Sequence, residues 1–127
     1  MTSLNHPNSL IKLNVGGEVF FTYYNTLYGS RYFRQLLNNM RRVREMIIYK
    51  DIIFLDRSKD IFKYVLQFLR NGHLNVDRKD GDFFQDLIEE ADFYGIKDLS
   101  IYAQCKLEEI EEEEKEEEEE DDEDYYL

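Results

Sequence analysis

The sequence has a single cysteine, Cys105, and two histidines in 127 residues. One cysteine excludes an intramolecular disulfide framework and any zinc site built mainly from the thiolates of one chain. His6 stands in a polar lead and His73 follows Gly72; neither has metal-ligand spacing to Cys105. His73 reads as a solvent-facing or helix-terminal residue, and Cys105, inside a helical pattern, as a quiet, partly buried thiol. A secretory leader is lacking as well, because "MTSLNHPNSL" has neither a basic region nor an apolar run. No apolar stretch approaches the length needed to span a bilayer, and "MIIYKDIIFL" is broken by charge after four residues. The expectation is a soluble intracellular chain, cytoplasmic or nuclear, with no metal, no cofactor and no membrane insertion.

Charge is present but unevenly placed. Between Glu108 and Asp124 there are 15 acidic residues against one lysine, a net of −14. Residues 1–107 carry 15 basic and 13 acidic side chains, a net of +2, so the overall −12 describes a tail and not a fold. The length suits one domain. Three segments follow: a flexible lead over 1–9, a folded body over 10–107, and an acidic low-complexity tail over 108–127. The first turns of the tail extend the last helix, and disorder is expected beyond them. The tail reads as a solubilising extension, or as a contact for a basic partner: a histone-like surface, or an arginine cluster in the same assembly.

Leu10 to Val15 alternates as a strand, Gly16-Gly17 suits a two-residue hairpin turn, and Glu18 to Tyr23 reads as the returning strand. That turn places Val15 opposite Glu18, Leu13 opposite Phe20 and Ile11 opposite Thr22. Ile11, Leu13, Val15 and Phe20 then share the core face. Val19 and Phe21 fall on the other face, which is expected to be covered too. A short helix capped by Asn25 or Thr26 should end near Gly29, and Ser30 is a cap candidate for "RYFRQLLNN". "MRRVREM" is basic and amphipathic, and residues 46–49 and 52–55 form a second hairpin. Ser58 caps the next helix, whose stripe is Ile61, Phe62, Val65, Leu66, Phe68 and Leu69, with Gly72 at its stop. A helix over about 82–94 ends at Gly95, and a last one begins near Asp98. Strand hairpin, helices, second hairpin and a mostly helical remainder make an α+β domain.

Each chemical motif has a plainer reading. A phosphate loop needs more glycines, a following helix, and a lysine with a hydroxyl, whereas strand-like "EVFFTYY" follows Gly16-Gly17. Ser58 in "DRSKD" has no nearby histidine to activate it, and capping explains it. Asp56 with Arg57 is a candidate for an ion pair within or between subunits. Arg41, Arg42 and Arg44 form the one basic cluster, with Arg31 and Arg34 nearby. The body is nearly neutral and the tail would compete as a phosphate mimic, so a solvated face or a subunit-contact interaction surface is favoured over nucleic acid. No arrangement supports catalysis, and the chain reads as a non-enzyme.

The order "LNVGGEVFFT", then "FLDR" with "IFKYVLQFLRNGHL", then "EEADFYGIKDLS" resembles the tetramerisation-type BTB/POZ domain of voltage-gated potassium channels and soluble KCTD-type proteins. The resemblance runs from about Leu10 to Tyr102. Asn14, Val15, Gly16, Gly17, Phe20 and Thr22 match its opening signature, and Thr26-Leu27 its next helix start. Asp56 and Arg57 match its "DR", followed by Phe62 and the run from Phe68 to Gly72; Glu90, Ala91, Phe93 and Tyr94 match the last block. There are departures. Tyr23 stands where a second threonine is common, and the segment after Leu27 is short and lacks the usual proline. "DRSKD" replaces "DRDG", and the histidine and cysteines that hold zinc between some channel subunits are missing.

The resemblance implies an oligomerisation domain over 10–107 that self-associates, without zinc, as a homotetramer or homopentamer. It further implies an adaptor role toward a cullin-3 ubiquitin ligase. The alternatives are a regulatory subunit or assembly domain related to potassium channels, and a scaffold whose clustered acidic tails bind a basic protein.

Overall fold

The computed structural model describes residues 6–77 and 80–125, with side chains as far as Glu118. Strands β1 (Leu10–Val15) and β2 (Glu18–Tyr23) form the first hairpin. Three short helices follow: α1 (Tyr24–Leu27), α2 (Arg31–Leu37) and α3 (Met40–Met46). The second hairpin is β3 (Ile47–Tyr49) with β4 (Ile52–Leu55), and then come α4 (Lys59–Asn71), α5 (Gly81–Tyr94) and α6 (Lys97–Tyr125). This is an α+β fold with a helical C-terminal half.

The first hairpin has the register that a two-residue turn dictates: Val15 faces Glu18, Leu13 faces Phe20 and Ile11 faces Thr22. Its inner face buries Ile11, Leu13, Val15 and Thr22 against the helices. The two hairpins join through parallel pairing of β1 with β4, Leu13 beside Ile53 and Val15 beside Leu55, giving the sheet order β2-β1-β4-β3. Helices cover one side of this sheet. The other side carries Leu10, Val19, Phe21 and Tyr23, all well exposed, so the described residues do not supply the expected cover over Val19 and Phe21.

Local caps explain where the helices begin. Ser30 Oγ accepts the Phe33 N–H of α2 at 3.2 Å, and Ser58 Oγ accepts the Ile61 N–H of α4 at 3.3 Å. Asp80 does the same for α5 through the Asp82 N–H at 2.9 Å. For α1 the cap differs from expectation. Its N-cap is Tyr23, with no side-chain bond, because the chain passes straight from β2 into the helix. The lead supplies acceptors instead: Ser9 O takes the Tyr24 N–H at 2.9 Å and Pro7 O takes the Asn25 N–H at 3.2 Å.

The C-terminal pair is antiparallel. α5 buries Phe83, Phe84, Leu87, Ala91 and Tyr94, and α6 returns along it with Leu99, Ala103 and Ile110 buried. Cys105 lies off that packed face and is exposed rather than partly buried. Beyond Ile110 the helix does not stop after a turn or two but continues to Tyr125. Glutamate is a good helix former, and a helix nucleated by packing elongates at one hydrogen bond per residue.

Candidate functional site

The glycine turn and the Asp-Arg loop meet in space. Asn14 Oδ1 accepts the Gly17 N–H at 2.9 Å, and the Gly16 N–H donates to Leu55 O at 2.9 Å. Gly16 has φ +58°, and a Cβ there would collide with the Arg57 carbonyl oxygen. Both facts require glycine, one for backbone conformation and one for space. The turn therefore seats the loop that carries Arg57.

Arg57 finds its carboxylate on α5 rather than at its neighbour Asp56, which is exposed. Its Nε donates to Glu90 Oε2 at 2.9 Å and its Nη2 donates to the same oxygen. Glu90 Oε1 also accepts the Ser58 N–H at 3.3 Å, and the guanidinium lies 4.0 Å from the centre of the Phe93 ring. Glu90 is nearly buried and Arg57 about a third exposed (33%), so water screens only one end of the pair. The sequence placed Glu90 in a matched block without a role. The legible signal was its position: Phe83, Leu87, Glu90, Ala91 and Tyr94 fall on one helical stripe, and an acid on a buried stripe needs a partner.

Other matched positions build the core beneath this pair. Phe62 meets Phe20 edge-on at 5.0 Å and Tyr94 at 5.4 Å, while Tyr94 stacks on Phe33 at 5.4 Å. Thr22 and Ala91 are buried beside them, and Gly72 closes α4. The Tyr94 hydroxyl is buried without a hydrogen-bond partner, and burial pushes its pKa well above the ordinary tyrosine value. These side chains are scaffold.

The exposed groups make two surfaces. On the outer face of the first hairpin, Leu10 (49%), Val19 (46%), Phe21 (57%) and Tyr23 (55%) stand together, with Lys12 and Asn14 between them. Lys12 is tied to Asp51 at the tip of the second hairpin by a 3.2 Å ion pair, and Lys12 with its charge on this face lowers the Asp51 pKa through that bond. The second surface is basic. Arg41, Arg42 and Arg44 are exposed on α3, with Arg31 and Arg34 on α2. Arg42 reaches the Tyr32 hydroxyl, whose pKa is raised by burial against the opposing pull of Arg42 and Arg57. An open groove of about 580 Å³ between α2 and α6 includes Arg31, Asp92, Lys97, Ser100 and Gln104. Ser100 donates to Asp92 at 2.7 Å and accepts from Gln104 at 3.1 Å, so its hydroxyl is engaged in both directions and serves as a link between helices. His6 accepts the Asn8 N–H, and His73 lies 3.1 Å from Asn71 O at the end of α4. Among the described residues, no helix is long and apolar enough to cross a membrane.

Comparison with known proteins agrees with this geometry. The BTB/POZ domain profile matches residues 11–105. An uncharacterised protein of Dictyostelium discoideum is 34% identical over 104 residues, covering 81% of this chain and 13% of that one. The human potassium channel regulatory protein is 36% identical over 93 residues, 71% of this chain and 33% of its own. Human BTB/POZ domain-containing protein KCTD17 is 32% identical over 102 residues, 78% and 31% of the two chains. The chain thus spans a third or less of the length of these relatives. It belongs to the BTB/POZ domain family of the potassium-channel tetramerisation type, a family of non-enzymatic protein-interaction and oligomerisation domains.

Proposed function

We propose that the chain is a self-associating interaction module whose copies pack through the outer face of the β1–β2 hairpin. The observation that carries this reading is the grouping of Leu10, Val19, Phe21 and Tyr23 on one exposed sheet face. Covering such a patch releases apolar surface from water at about 25 cal/mol per Å². Membership of an oligomerisation family supports a closed homotetramer or homopentamer, in which one surface is repeated around an axis. Its work is display: identical surfaces held together bind a partner with avidity. The finer role is that of a cullin-3 adaptor in the cytoplasm or nucleus.

Light scattering of the purified full chain, alone and with the amino-terminal domain of cullin-3, tests both levels. A closed oligomer that takes up cullin-3 is expected. Phe21→Glu should give a monomer with unchanged helical circular dichroism. A wild-type monomer at micromolar concentration overturns the assembly, whereas an oligomer that ignores cullin-3 removes only the adaptor role.

The 36% identity to the human potassium channel regulatory protein favours a second reading, mixed assembly with channel chains. Co-precipitation with a channel's cytoplasmic assembly domain is its test, and no recovery at any mixing ratio would remove it.

A further inference from the structure

The chain carries its two opposite charge concentrations at opposite ends of one helix pair. Gly95, at the C-terminal end of α5, packs directly on Arg31. Lys97, at the start of α6, lines the same hollow as Arg31. Tyr32 of α2, packed on Phe93 and Tyr94 of α5, shares a second hollow with Arg42 of α3, the helix that also carries Arg41 and Arg44. Gly81, at the other end of α5, packs on Leu107. The 14 residues of α5 separate these ends by about 21 Å. α6 leaves the body at the Gly81 end and runs on from Glu111 to Tyr125, about 22 Å further. A continuous helix pointing away cannot return to the arginines of its own chain. The Debye length is about 8 Å at physiological salt, so the two charges do not feel each other at this separation either.

Among the described residues, Lys106–Glu109 at 3.5 Å is the ion pair on α6. Where α6 leaves the body, Glu111 and Glu114 line an open hollow beside the start of α5. From Glu111 to Glu118 every side chain is exposed, and acids recur at i,i+3 and i,i+4, a spacing at which like charges destabilise a helix. On the basic side, Arg41–Glu45 at 3.9 Å is the ion pair among the described residues, between two heavily exposed groups. Arg34 donates to Tyr28 O at 2.6 Å, which holds its guanidinium in place, and Arg42 shares a hollow with Tyr32. An exposed, strongly acidic helix and an exposed arginine surface are complementary in charge.

We propose that the acidic extension of α6 docks in trans on the Arg31–Arg44 surface of a second copy of this chain. The contact is heterologous: each copy offers one donor end and one acceptor end, which closes in a ring or propagates in a line. It deepens the self-association reading but uses a different face, α2 and α3 rather than the β1–β2 sheet. It relieves the i,i+4 repulsion on α6, and because it consists of exposed ion pairs it is salt-sensitive.

Intermolecular paramagnetic broadening tests it. One batch of full-length chain, with Cys105→Ser and Glu118→Cys, carries a nitroxide at residue 118 and no isotope label. The second batch is wild type, labelled with nitrogen-15. At about 0.1 M salt, mixing should broaden the amides of Arg31, Arg34 and Arg41 to Arg44, and raising salt to about 1 M should restore them. An acceptor with Arg41→Glu, Arg42→Glu and Arg44→Glu, checked for folding by its own amide spectrum, should lose the broadening. Light scattering on the same mixtures separates the two readings. Assembly without broadening at α2 and α3 overturns the docking and leaves the acidic helix to a basic protein. Broadening that survives in a Phe21→Glu acceptor shows that the docking stands without the sheet contact. Absence of both assembly and broadening overturns the docking together with the assembly on which it rests.

Discussion

Phe20 and Phe21 are neighbours on β2, one residue type at consecutive positions. Phe20 points inward and meets Phe62 edge-on at 5.0 Å, whereas Phe21 points outward and is 57% exposed. The difference is the period of two along a strand, which sends adjacent side chains to opposite faces. The inner face is a fold determinant packed against helices. The apolar side chains of the outer face are left exposed by the described residues, so losses there should appear in assembly and not in stability.

Four substitutions sharpen that contrast. Phe62→Ala empties the centre of the inner cluster and should cost about 3–5 kcal/mol, seen as a large fall in the midpoint of a denaturant melt. Phe21→Glu, by comparison, should leave that midpoint within about 0.5 kcal/mol when measured as a monomer; a large loss would collapse the distinction between the faces. Gly16→Ala should cost about 2–3 kcal/mol, since it adds left-handed strain and a clash with the Arg57 carbonyl. Glu90→Gln removes the charge opposite Arg57 and should cost about 2 kcal/mol, less than a fully buried pair because Arg57 is a third exposed. In that variant a fall in stability no larger than that of an exposed-site control would show the pair to be dispensable.

Tyr94→Phe should have a small effect of opposite sign at neutral pH, between zero and a gain of about 1 kcal/mol, because it deletes a buried hydroxyl without a partner. Its pH dependence has a definite sign. Burial raises the folded pKa of Tyr94 above the unfolded value of 10.0, so the folded state holds the proton more tightly. The associated stability is complete below pH 10 and falls as pH rises above it. Tyr94→Phe should flatten this alkaline loss in thermal melts; an unchanged slope would assign the loss to other groups.

Much of the fold was legible because the signals are local. Gly16-Gly17 between alternating segments dictates a hairpin whose register can be written down without coordinates, and Leu13 does face Phe20. Ser30 and Ser58 sit just before apolar-periodic runs, where a short hydroxyl satisfies an otherwise unpaired N–H. Thr26 and Asn25 resembled such caps and were not. The acceptors that replaced them, Ser9 O and Pro7 O, lie 15 and 18 residues before their donors, and chain proximity of that kind leaves no local mark. Arg57 with Glu90 failed to show for the same reason, being 33 positions apart. Val19 and Phe21 are exposed among the described residues, so the cover expected from their apolarity does not come from these residues, and apolar residues on a strand do not say which molecule will cover them.

By itself, then, the sequence determined the hairpin register, most helix boundaries, the apolar stripes and the segregation of acid into the last twenty residues. Each depends on residues within a turn or a strand pair of one another, where periodicity and capping chemistry act. Only the tertiary structure decided that the two hairpins join through parallel β1–β4 pairing, that Gly16 lies under Arg57, and that Arg57 answers Glu90. It also decided that α6 returns along α5 and runs on past the Gly81 end, the end far from Arg31. These depend on which distant surfaces come together, and that is settled by burying the whole core at once.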